Sequence, residues 1–173
     1  QRAAAALIAG AATHDTRTDE VKDLRVPATV STAFNSRTAA RQEGAELRFR
    51  VPSDWTPRTY FGLAERRFPL VLGTPRTQAG QTRVQLPEGY AVARLPQPAA
   101  LKLPCFEFER TARLDGEAVV VDQTVRYLCE RVSAQEYPQY RQLAEAAGRA
   151  LEEDLVLAPR KGLEKKGAAE KKR

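Results

Sequence analysis

Methionine is absent from the 173-residue sequence, histidine occurs once, and cysteine occurs twice. Zinc sites need several histidine, cysteine or carboxylate ligands at characteristic spacings, so we predict neither a protein-built metal site nor a bound cofactor. Hydrophobic residues make up 42% of the chain, which is enough for one ordinary domain with a buried core. Because there is no initiator methionine, we expect the sequence to be a piece of a longer chain.

Long apolar runs are also lacking. The opening QRAAAALIAGAA is far shorter than the roughly 20 apolar residues of a membrane-spanning helix, so we predict no transmembrane segment. We interpret residues 1–12 as the end of a preceding helix or a linker, which stops near Gly10. A signal-peptide remnant is the alternative.

Positive charge is concentrated at one end of the chain. The formal net charge is +6, and the segment RKGLEKKGAAEKKR at 160–173 carries seven basic and two acidic residues, or +5 of that total. The rest of the chain is almost neutral, so we predict no specific nucleic-acid binding. We expect 160–173 to be a disordered basic tail, with weak attraction to phosphates or anionic lipid as the alternative.

Alternation of apolar and polar residues predicts antiparallel strands over much of the remaining sequence. In AELRFRV, Leu47, Phe49 and Val51 share one face, and PATVSTAF alternates in the same way. QTRVQL and GYAVARL are two further short runs. The four prolines between Val51 and Pro75 exclude a long helix from that region.

The clearest predicted element is a hairpin formed by CFEFERTAR and AVVVDQTVRYLCERV, with a two-residue turn at Asp115–Gly116. This turn places Cys105 three rungs from Cys129, or about 10 Å along the strand. Disulfide Cβ atoms lie about 4 Å apart, so the two cysteines cannot bond without a bulge. We interpret both as small apolar residues on strands, with a strained disulfide or a reactive thiol as the alternatives.

Helical spacing appears only near the C-terminus. In VSAQEYPQYRQLAEAAGRALEED, the apolar residues follow a period of about 3.6, which predicts an amphipathic helix at about 134–153. LVLAP then predicts a short final strand. We therefore predict a mainly β fold over 13–159, an antiparallel β-sandwich (immunoglobulin-like or related) with six to eight strands and one C-terminal helix.

A cysteine nucleophile needs a base to form its thiolate, and His14 is the one imidazole in the sequence. Nothing in the sequence places His14 near Cys105 or Cys129. We interpret His14 as an exposed residue of a polar segment, and we predict that this chain is not an enzyme.

Two groups of carboxylates are candidates for acid and base chemistry. Glu107 and Glu109 share a strand face, and Glu152, Glu153 and Asp154 lie near a helix end. Paired carboxylates catalyse reactions when burial separates their pKa values. Here their neighbours are typical of a solvated surface, which we take as the interpretation of both groups.

Aromatic residues are sparse, and three of them occur in SDWTPRTYFGL. Trp55, Tyr60 and Phe61 form a candidate protein-contact surface. Filling of the core beneath a loop is the alternative.

The order RRFPLVL, TRVQLPEGYAVARLP, FEFERTARLDGEAVVVDQTVRYL and EYPQYRQLAEAAGRALEEDLVLAP resembles the C-terminal β domain of bacterial multidomain proteins with a transglutaminase-like core. This resemblance is best from about Arg66 to Pro159, and DLRVPATVSTAF and AELRFRV more weakly resemble the first strands of the same region. It implies a non-catalytic accessory domain that follows a papain-like catalytic core, whose Cys, His and Asp lie upstream. None of those catalytic residues has a counterpart in the matching stretches.

The resemblance also implies partners and a location. The expected partners are the upstream catalytic domain of the same chain and a protein or peptide substrate, which the domain would help to present. An extracytoplasmic location, either periplasmic, secreted or envelope-associated, is implied as well. Two alternatives from other classes stay open: a free-standing protein-binding β module, and a cysteine hydrolase that brings His14 to Cys105 or Cys129.

Overall fold

The structure is a computed structural model that describes residues 11–18 and 28–160. Nearly all of the predicted N-terminal segment 1–12 and of the predicted basic tail 160–173 lies outside these described residues. The chain divides into two compact units, with the boundary between Arg41 and Gln42. Each unit is described separately below.

The first unit contains an antiparallel hairpin. Strand β1 (Ala12–Thr18) pairs with strand β2 (Val30–Asn35), and the register shifts between Thr13 and Asp15. This irregularity leaves His14 without a Cα partner in the ladder. Along β2, Thr32 and Phe34 are half-buried while their neighbours are exposed, as the alternating sequence pattern predicts.

Two four-stranded antiparallel sheets dominate the rest of the described chain. One has the strand order β6, β10, β9, β8, and the other has the order β3, β4, β12, β7. The remaining strands, β5 and β11, form a two-residue ladder. The element bounds are β3 Ala40–Glu43, β4 Glu46–Arg50, α1 Arg58–Phe61, β5 Leu70–Val71, β6 Arg76–Gln85, β7 Tyr90–Arg94, β8 Ala99–Leu103, β9 Phe106–Asp115, β10 Ala118–Tyr127, β11 Arg131–Val132, α2 Tyr137–Leu151 and β12 Asp154–Pro159.

Apolar side chains from the two sheets meet in a common core. Val119 and Val121 of β10 pack with Leu155 and Leu157 of β12 and with Val51, and each is at most 3% exposed. The alternation in AELRFRV explains why Val51 lies on the buried side of β4. The predicted mainly β, antiparallel sandwich is therefore confirmed.

Helix α2 covers the other half of the same sheet face. Its buried residues Tyr137, Tyr140, Ala144 and Ala147 recur at intervals of three and four, which places them on one face of a helix. They pack against a cluster that includes Phe106, Phe108, Val125 and Tyr127 of β9 and β10. The C-terminal amphipathic helix predicted for 134–153 thus runs from Tyr137 to Leu151.

The turn before α2 contains paired contacts between Ser133 and Glu136, although Glu136, the N-cap residue of the helix, makes no side-chain capping hydrogen bond. The Ser133 hydroxyl donates a hydrogen bond to the Glu136 carboxylate at 2.6 Å, and the Glu136 backbone N–H donates to the Ser133 hydroxyl at 3.2 Å. Pro138 follows in the first turn, where a proline costs the helix no hydrogen bond. These contacts fix the entry of the helix against the sheet.

The predicted hairpin is present, but its turn lies one residue later than the sequence suggested. Asp115 pairs with Ala118, so Gly116 and Glu117 occupy the turn. Gly116 has a φ of 62°, whereas no non-glycine residue among those described has a positive φ. A positive φ at the first turn residue alone is the pattern of a type II′ turn. The predicted turn at Asp115–Gly116 is therefore wrong.

This shift also overturns the prediction that Cys105 and Cys129 cannot bond. The two residues form a disulfide with a Cα–Cα distance of 4.8 Å. Cys105 lies in the tight turn between Leu103 and Phe106, and Cys129 is the second residue after the end of β10. Because both cysteines lie beyond the ends of the paired ladder, the alternation of strand faces does not separate them.

Candidate functional site

The aromatic residues singled out in the sequence pack into the domain core. Trp55 is 5% exposed and Phe61 is 4% exposed. The Trp55 ring stacks on Phe106 and Phe108 at centroid distances of 5.6 and 5.3 Å, and its Nε1 donates a 2.8 Å hydrogen bond to the Tyr127 hydroxyl. These rings fasten the 51–61 segment to the sheet and do not present a surface to a partner, so core filling is the arrangement observed.

Tyr60 is half-buried and takes part in a contact with an arginine. Arg76 donates a 2.8 Å hydrogen bond to the Tyr60 hydroxyl and a 2.7 Å hydrogen bond to the Leu72 carbonyl. Its guanidinium carbon lies 4.0 Å from the centroid of the Tyr127 ring, within the range of a cation–π interaction. Arg76 therefore holds the start of β6 to the aromatic cluster.

The Tyr127 hydroxyl lies at the centre of this cluster. Burial raises the pKa of the Tyr127 phenol, and the hydrogen bond from Trp55 partly opposes that rise. The phenol oxygen accepts the hydrogen bond from the Trp55 indole N–H. This arrangement is a satisfied polar contact inside an aromatic core.

A polar row crosses the inner sheet face between the two apolar clusters. Gly80, Gln123, Arg110 and Ala99 are successive partners across β6, β10, β9 and β8. Gln123 donates a 2.8 Å hydrogen bond to the Ser53 hydroxyl. The sequence signal for this row, missed above, is the even-numbered face of CFEFER, where Arg110 follows Phe106 and Phe108.

Arg110 is a buried cation with incomplete hydrogen bonding. Its side chain is 2% exposed, its Nη1 donates a 2.5 Å hydrogen bond to the Ala150 carbonyl, and its Nε has no partner among the described residues. Desolvation lowers the pKa of the Arg110 guanidinium, while attraction to Glu153 raises it. Glu153 in turn accepts a 2.6 Å hydrogen bond from the Gln97 backbone N–H. The row thus joins the C-terminus of α2 to the sheet.

The first pair of carboxylates lies in an ion-pair network on the outer sheet face. Arg126 Nη1 is 3.0 Å from Glu107 and 3.7 Å from Glu109, and Lys102 is 3.6 Å from Glu107. The two glutamates therefore share a face, as the alternation predicts, and a single arginine lies between them. Such an arrangement is typical of a charged surface.

The members of the second acidic group, Glu152, Glu153 and Asp154, each contact different residues. Glu152 ends α2 with backbone hydrogen bonds, Glu153 contacts Gln97, and Asp154 is 3.6 Å from Arg50. No three His, Cys, Asp or Glu side chains within 11–18 and 28–160 are grouped so that they could hold a metal ion. A shallow groove on the β1–β2 hairpin is lined by Asp15, Arg17, Ser31, Thr32 and Ala33.

The proposed nucleophiles and base of a hydrolase occupy different settings. Cys105 and Cys129 are bonded to each other, and His14 is an exposed residue of the first unit. In this state neither sulfur carries a thiol. The Cys105 backbone N–H also donates a 3.1 Å hydrogen bond to the Tyr140 hydroxyl, so the disulfide end of the hairpin is connected to helix α2.

The sequence at 46–157 matches the model of a protein family, DUF3858, which is described as a domain of unknown function with a solved structure. The chain belongs to this family. The match begins at β4 and ends in β12, so this DUF3858 domain contains both sheets of the sandwich except β3. No curated protein matches the sequence.

The fold is also similar to that of a crystal structure described as a "putative protease" from Parabacteroides distasonis ATCC 8503. The TM-score is 0.56 at 15% sequence identity, and the match covers 67% of this chain and 24% of the Parabacteroides chain. At that identity the likeness shows the fold alone. The chain spans about a quarter of the length of that protein. None of the described helices is long and apolar enough to cross a bilayer.

Proposed function

We propose that this DUF3858 domain is a non-catalytic accessory domain that follows and supports a transglutaminase-like catalytic core in a longer protein. The observation that carries the proposal is that a similar fold occurs within a longer chain described as a "putative protease", of which the match covers 24%. The order of sequence motifs noted above agrees with a position behind such a core. The catalytic Cys, His and Asp would belong to the preceding domain.

A segment at 63–71 supplies a surface suited to contact with that domain. Leu63, Phe68 and Val71 are 56%, 78% and 59% exposed. The segment is nevertheless held in place, because the Tyr137 hydroxyl donates a 2.8 Å hydrogen bond to the Leu63 carbonyl and Arg141 donates a 3.1 Å hydrogen bond to the Ala64 carbonyl. Exposed apolar side chains on an anchored backbone favour docking of a protein surface or a peptide substrate.

An extracytoplasmic location follows as part of the same proposal. Disulfides form and persist in oxidising compartments, and the Cys105–Cys129 bond supports a periplasmic, secreted or envelope-associated protein. To test this location, the protein is isolated from its source under acid quench and its free thiols are alkylated. We expect no alkylation of Cys105 and Cys129, and full alkylation of both cysteines would contradict the proposed location.

The experiment for the accessory role uses the longest reading frame that contains this sequence. We expect it to encode a Cys-His-Asp domain before residue 1, and we expect removal of 42–160 to lower the hydrolase or acyl-transfer activity of the product. Phe68→Ser in the full-length protein should lower that activity or the stability of the catalytic domain. Leu114→Ser is the matched control, because Leu114 is an exposed apolar residue, at 55%, near the end of β9.

Two results would contradict the accessory role. The first is a reading frame without a catalytic domain, and the second is peptide hydrolysis by the isolated chain that alkylation abolishes after reduction. A free-standing protein-binding module is the second candidate function, and the exposed 63–71 segment favours it. If no catalytic domain is encoded and Phe68→Ser abolishes capture of a specific protein while Leu114→Ser does not, the binding module replaces the accessory role.

A further inference from the structure

Strand β6 forms a long open edge of the sandwich. All ten of its residues, Arg76–Gln85, pair in one uninterrupted register with β10, and within the described residues no strand pairs with its other side. An edge strand presents a row of unpaired N–H and C=O groups, which is a template for pairing with another strand. The question is what pairs with it.

The opposite edge of the same sheet is protected, and β6 is not. Strand β8 has five residues, and its apolar side chains pack against the cluster that contains helix α2. In β6, by contrast, the five residues Thr77–Gln81 are all exposed, and none is charged or a proline. Charges, prolines and bulges are the usual devices that block edge pairing, and the centre of β6 has none of them.

The centre of β6 also lacks a bulky side chain. Gly80 is an exposed glycine of this strand, and a glycine within a strand often marks a position where another backbone approaches closely.

We propose that β6 pairs antiparallel with β6 of a second copy of this chain, around a twofold axis near Gly80. Such an isologous contact joins the two four-stranded sheets edge to edge. The even-numbered residues of β6 face the inner side of the sandwich, so the inner faces of both copies stay continuous across the axis. This proposal goes beyond the accessory role and does not depend on it.

The distribution of charge along β6 fits a second copy. A twofold axis pairs each residue with its reflection about the axis, so facing residues differ by an even number of positions. Arg76 and Arg83 differ by seven (83 − 76), so no twofold register places one directly opposite the other. With the axis at Gly80, Arg83 faces Thr77 and Gln78 faces Thr82, without like charges in contact.

Both arginines are also engaged within their own copy. Arg83 Nη1 is 2.5 Å from the Asp115 carboxylate, and Arg76 donates to the Leu72 carbonyl while lying over the Tyr127 ring. The positive charges of Arg76 and Arg83 at the two ends of the strand pair are therefore partly compensated within each copy. A single strand pair is a small interface, so we expect a weak dimer whose population rises with protein concentration.

The test introduces single cysteines into the full chain, whose own two cysteines are already bonded to each other. On a twofold axis a residue faces its own copy, and the Cα atoms of facing residues lie about 4.5 to 5.5 Å apart, within disulfide range. We expect one of Ala79→Cys, Gly80→Cys or Gln81→Cys to form a covalent dimer on the order of tenfold faster than a control. Thr111→Cys is that control, an exposed residue of the central strand β9.

A second pair of variants tests the same contact without crosslinking. The double variant Ala79→Lys/Gln81→Lys places like charges opposite one another in any register near Gly80, and sedimentation equilibrium should show loss of the dimer. Its counterpart Ala79→Glu/Gln81→Glu should also be monomeric, and a mixture of the two should dimerise. Thr111→Lys should leave the dimer intact.

The outcomes separate the possible occupants of the edge. A monomer at every concentration, with crosslinking no faster than Thr111→Cys, overturns the proposal. A dimer that forms equally well in the lysine double variant places the contact elsewhere and also overturns it. Saturable binding of an extended peptide to a chain that stays monomeric assigns the edge to another protein, which is a different partner from the one proposed.

Discussion

The least expected residue of the inner sheet face is Arg110, a buried cation among aromatic and aliphatic side chains. It forms a hydrogen bond to the Ala150 carbonyl, but its Nε lacks a partner within the described part of the chain. Burial of a charge is costly unless its pairing and hydrogen bonds are complete. Arg110 therefore positions the end of helix α2 on the sheet at some expense in stability.

This cost leads to a prediction for Arg110→Met. Methionine retains much of the volume and removes the buried charge, so we expect the free energy of unfolding to be unchanged or to increase by about 1 to 2 kcal/mol. Urea denaturation measures it. Arg113→Met is the matched control on the same strand, where the side chain is 55% exposed and the expected change is below about 1 kcal/mol. A loss of more than about 3 kcal/mol in Arg110→Met would show that the cation is net stabilising.

The disulfide gives a second prediction at this scale. The Cys105–Cys129 bond closes a segment of sequence separation 24 and restricts the unfolded chain accordingly. We expect the double variant Cys105→Ala/Cys129→Ala to lose about 3 kcal/mol of unfolding free energy, measured in denaturant without reductant. In the wild-type protein, reductant should produce a similar loss. An unfolding midpoint insensitive to both changes would contradict this contribution.

The Tyr127 phenol predicts how stability changes at alkaline pH. Its pKa is raised in the folded protein, so above the unfolded value of about 10 the unfolded chain releases this proton first. The free energy of unfolding contributed by this group is fully present below that pH and falls as pH rises through the folded pKa. Tyr127→Phe should flatten the decline between about pH 9.5 and 11, measured by denaturation at each pH.

Tyr127→Phe also removes the acceptor of the Trp55 indole N–H. This loss should lower stability by about 1 to 3 kcal/mol at neutral pH. The slope of stability against pH, rather than its absolute value, therefore isolates the titration. Equal slopes in wild type and variant would contradict the assignment to Tyr127.

At the scale of elements, the β9–β10 turn depends on the conformation of Gly116. The φ of 62° lies in the left-handed region, where an alanine costs about 1 to 2 kcal/mol. We expect Gly116→Ala to lose about that much unfolding free energy and Gly116→Asn to lose less, because asparagine tolerates this conformation. Thermal unfolding by circular dichroism measures both. Gly80→Ala is the control, since Gly80 has ordinary strand φ and open space around it.

The same turn shows where sequence reasoning succeeded and where it failed. The β-branched residues of β10 and the aromatic residues of β9 predict a hairpin under any register. An Asp-Gly pair, however, allows Gly116 to be either the first or the second turn residue. In the two resulting registers, the residues that face Cys105 and Cys129 on the partner strand differ by two positions. Local turn chemistry is thus too weak to fix the pairing register, and because a shift of two residues keeps every side chain on the same face, the apolar pattern does not fix it either.

Other elements differ in how strongly their sequences specify them. Helix α2 was predictable because fifteen residues contain several periods of its apolar face. Strands β5 and β11 have two residues each, which is too short for any alternation. The burial of Trp55 and Phe61 depends on the helix and hairpin that surround them, so an aromatic-rich loop alone cannot distinguish core from surface.

At the scale of the whole molecule, the residues of the two core clusters come from one continuous part of the sequence. The clusters between the sheets and beneath α2 contain only residues between Leu47 and Leu157, and the family match covers 46–157. The disulfide also lies inside this range. The division of the chain between Arg41 and Gln42 agrees with these limits.

This organisation predicts that residues 42–160 fold on their own. Because every buried side chain of the two core clusters lies within that range, we expect the fragment to unfold cooperatively and to have a melting temperature within about 4 °C of the full chain, equivalent to roughly 1 kcal/mol. Circular dichroism melts of both proteins measure this, with a fragment starting at residue 54 as the control that removes β4 and Val51. If 42–160 lacks a cooperative transition while the full chain has one, residues outside it complete the core. The limits of the folded domain would then be wider than 42–160 and wider than the family match at 46–157.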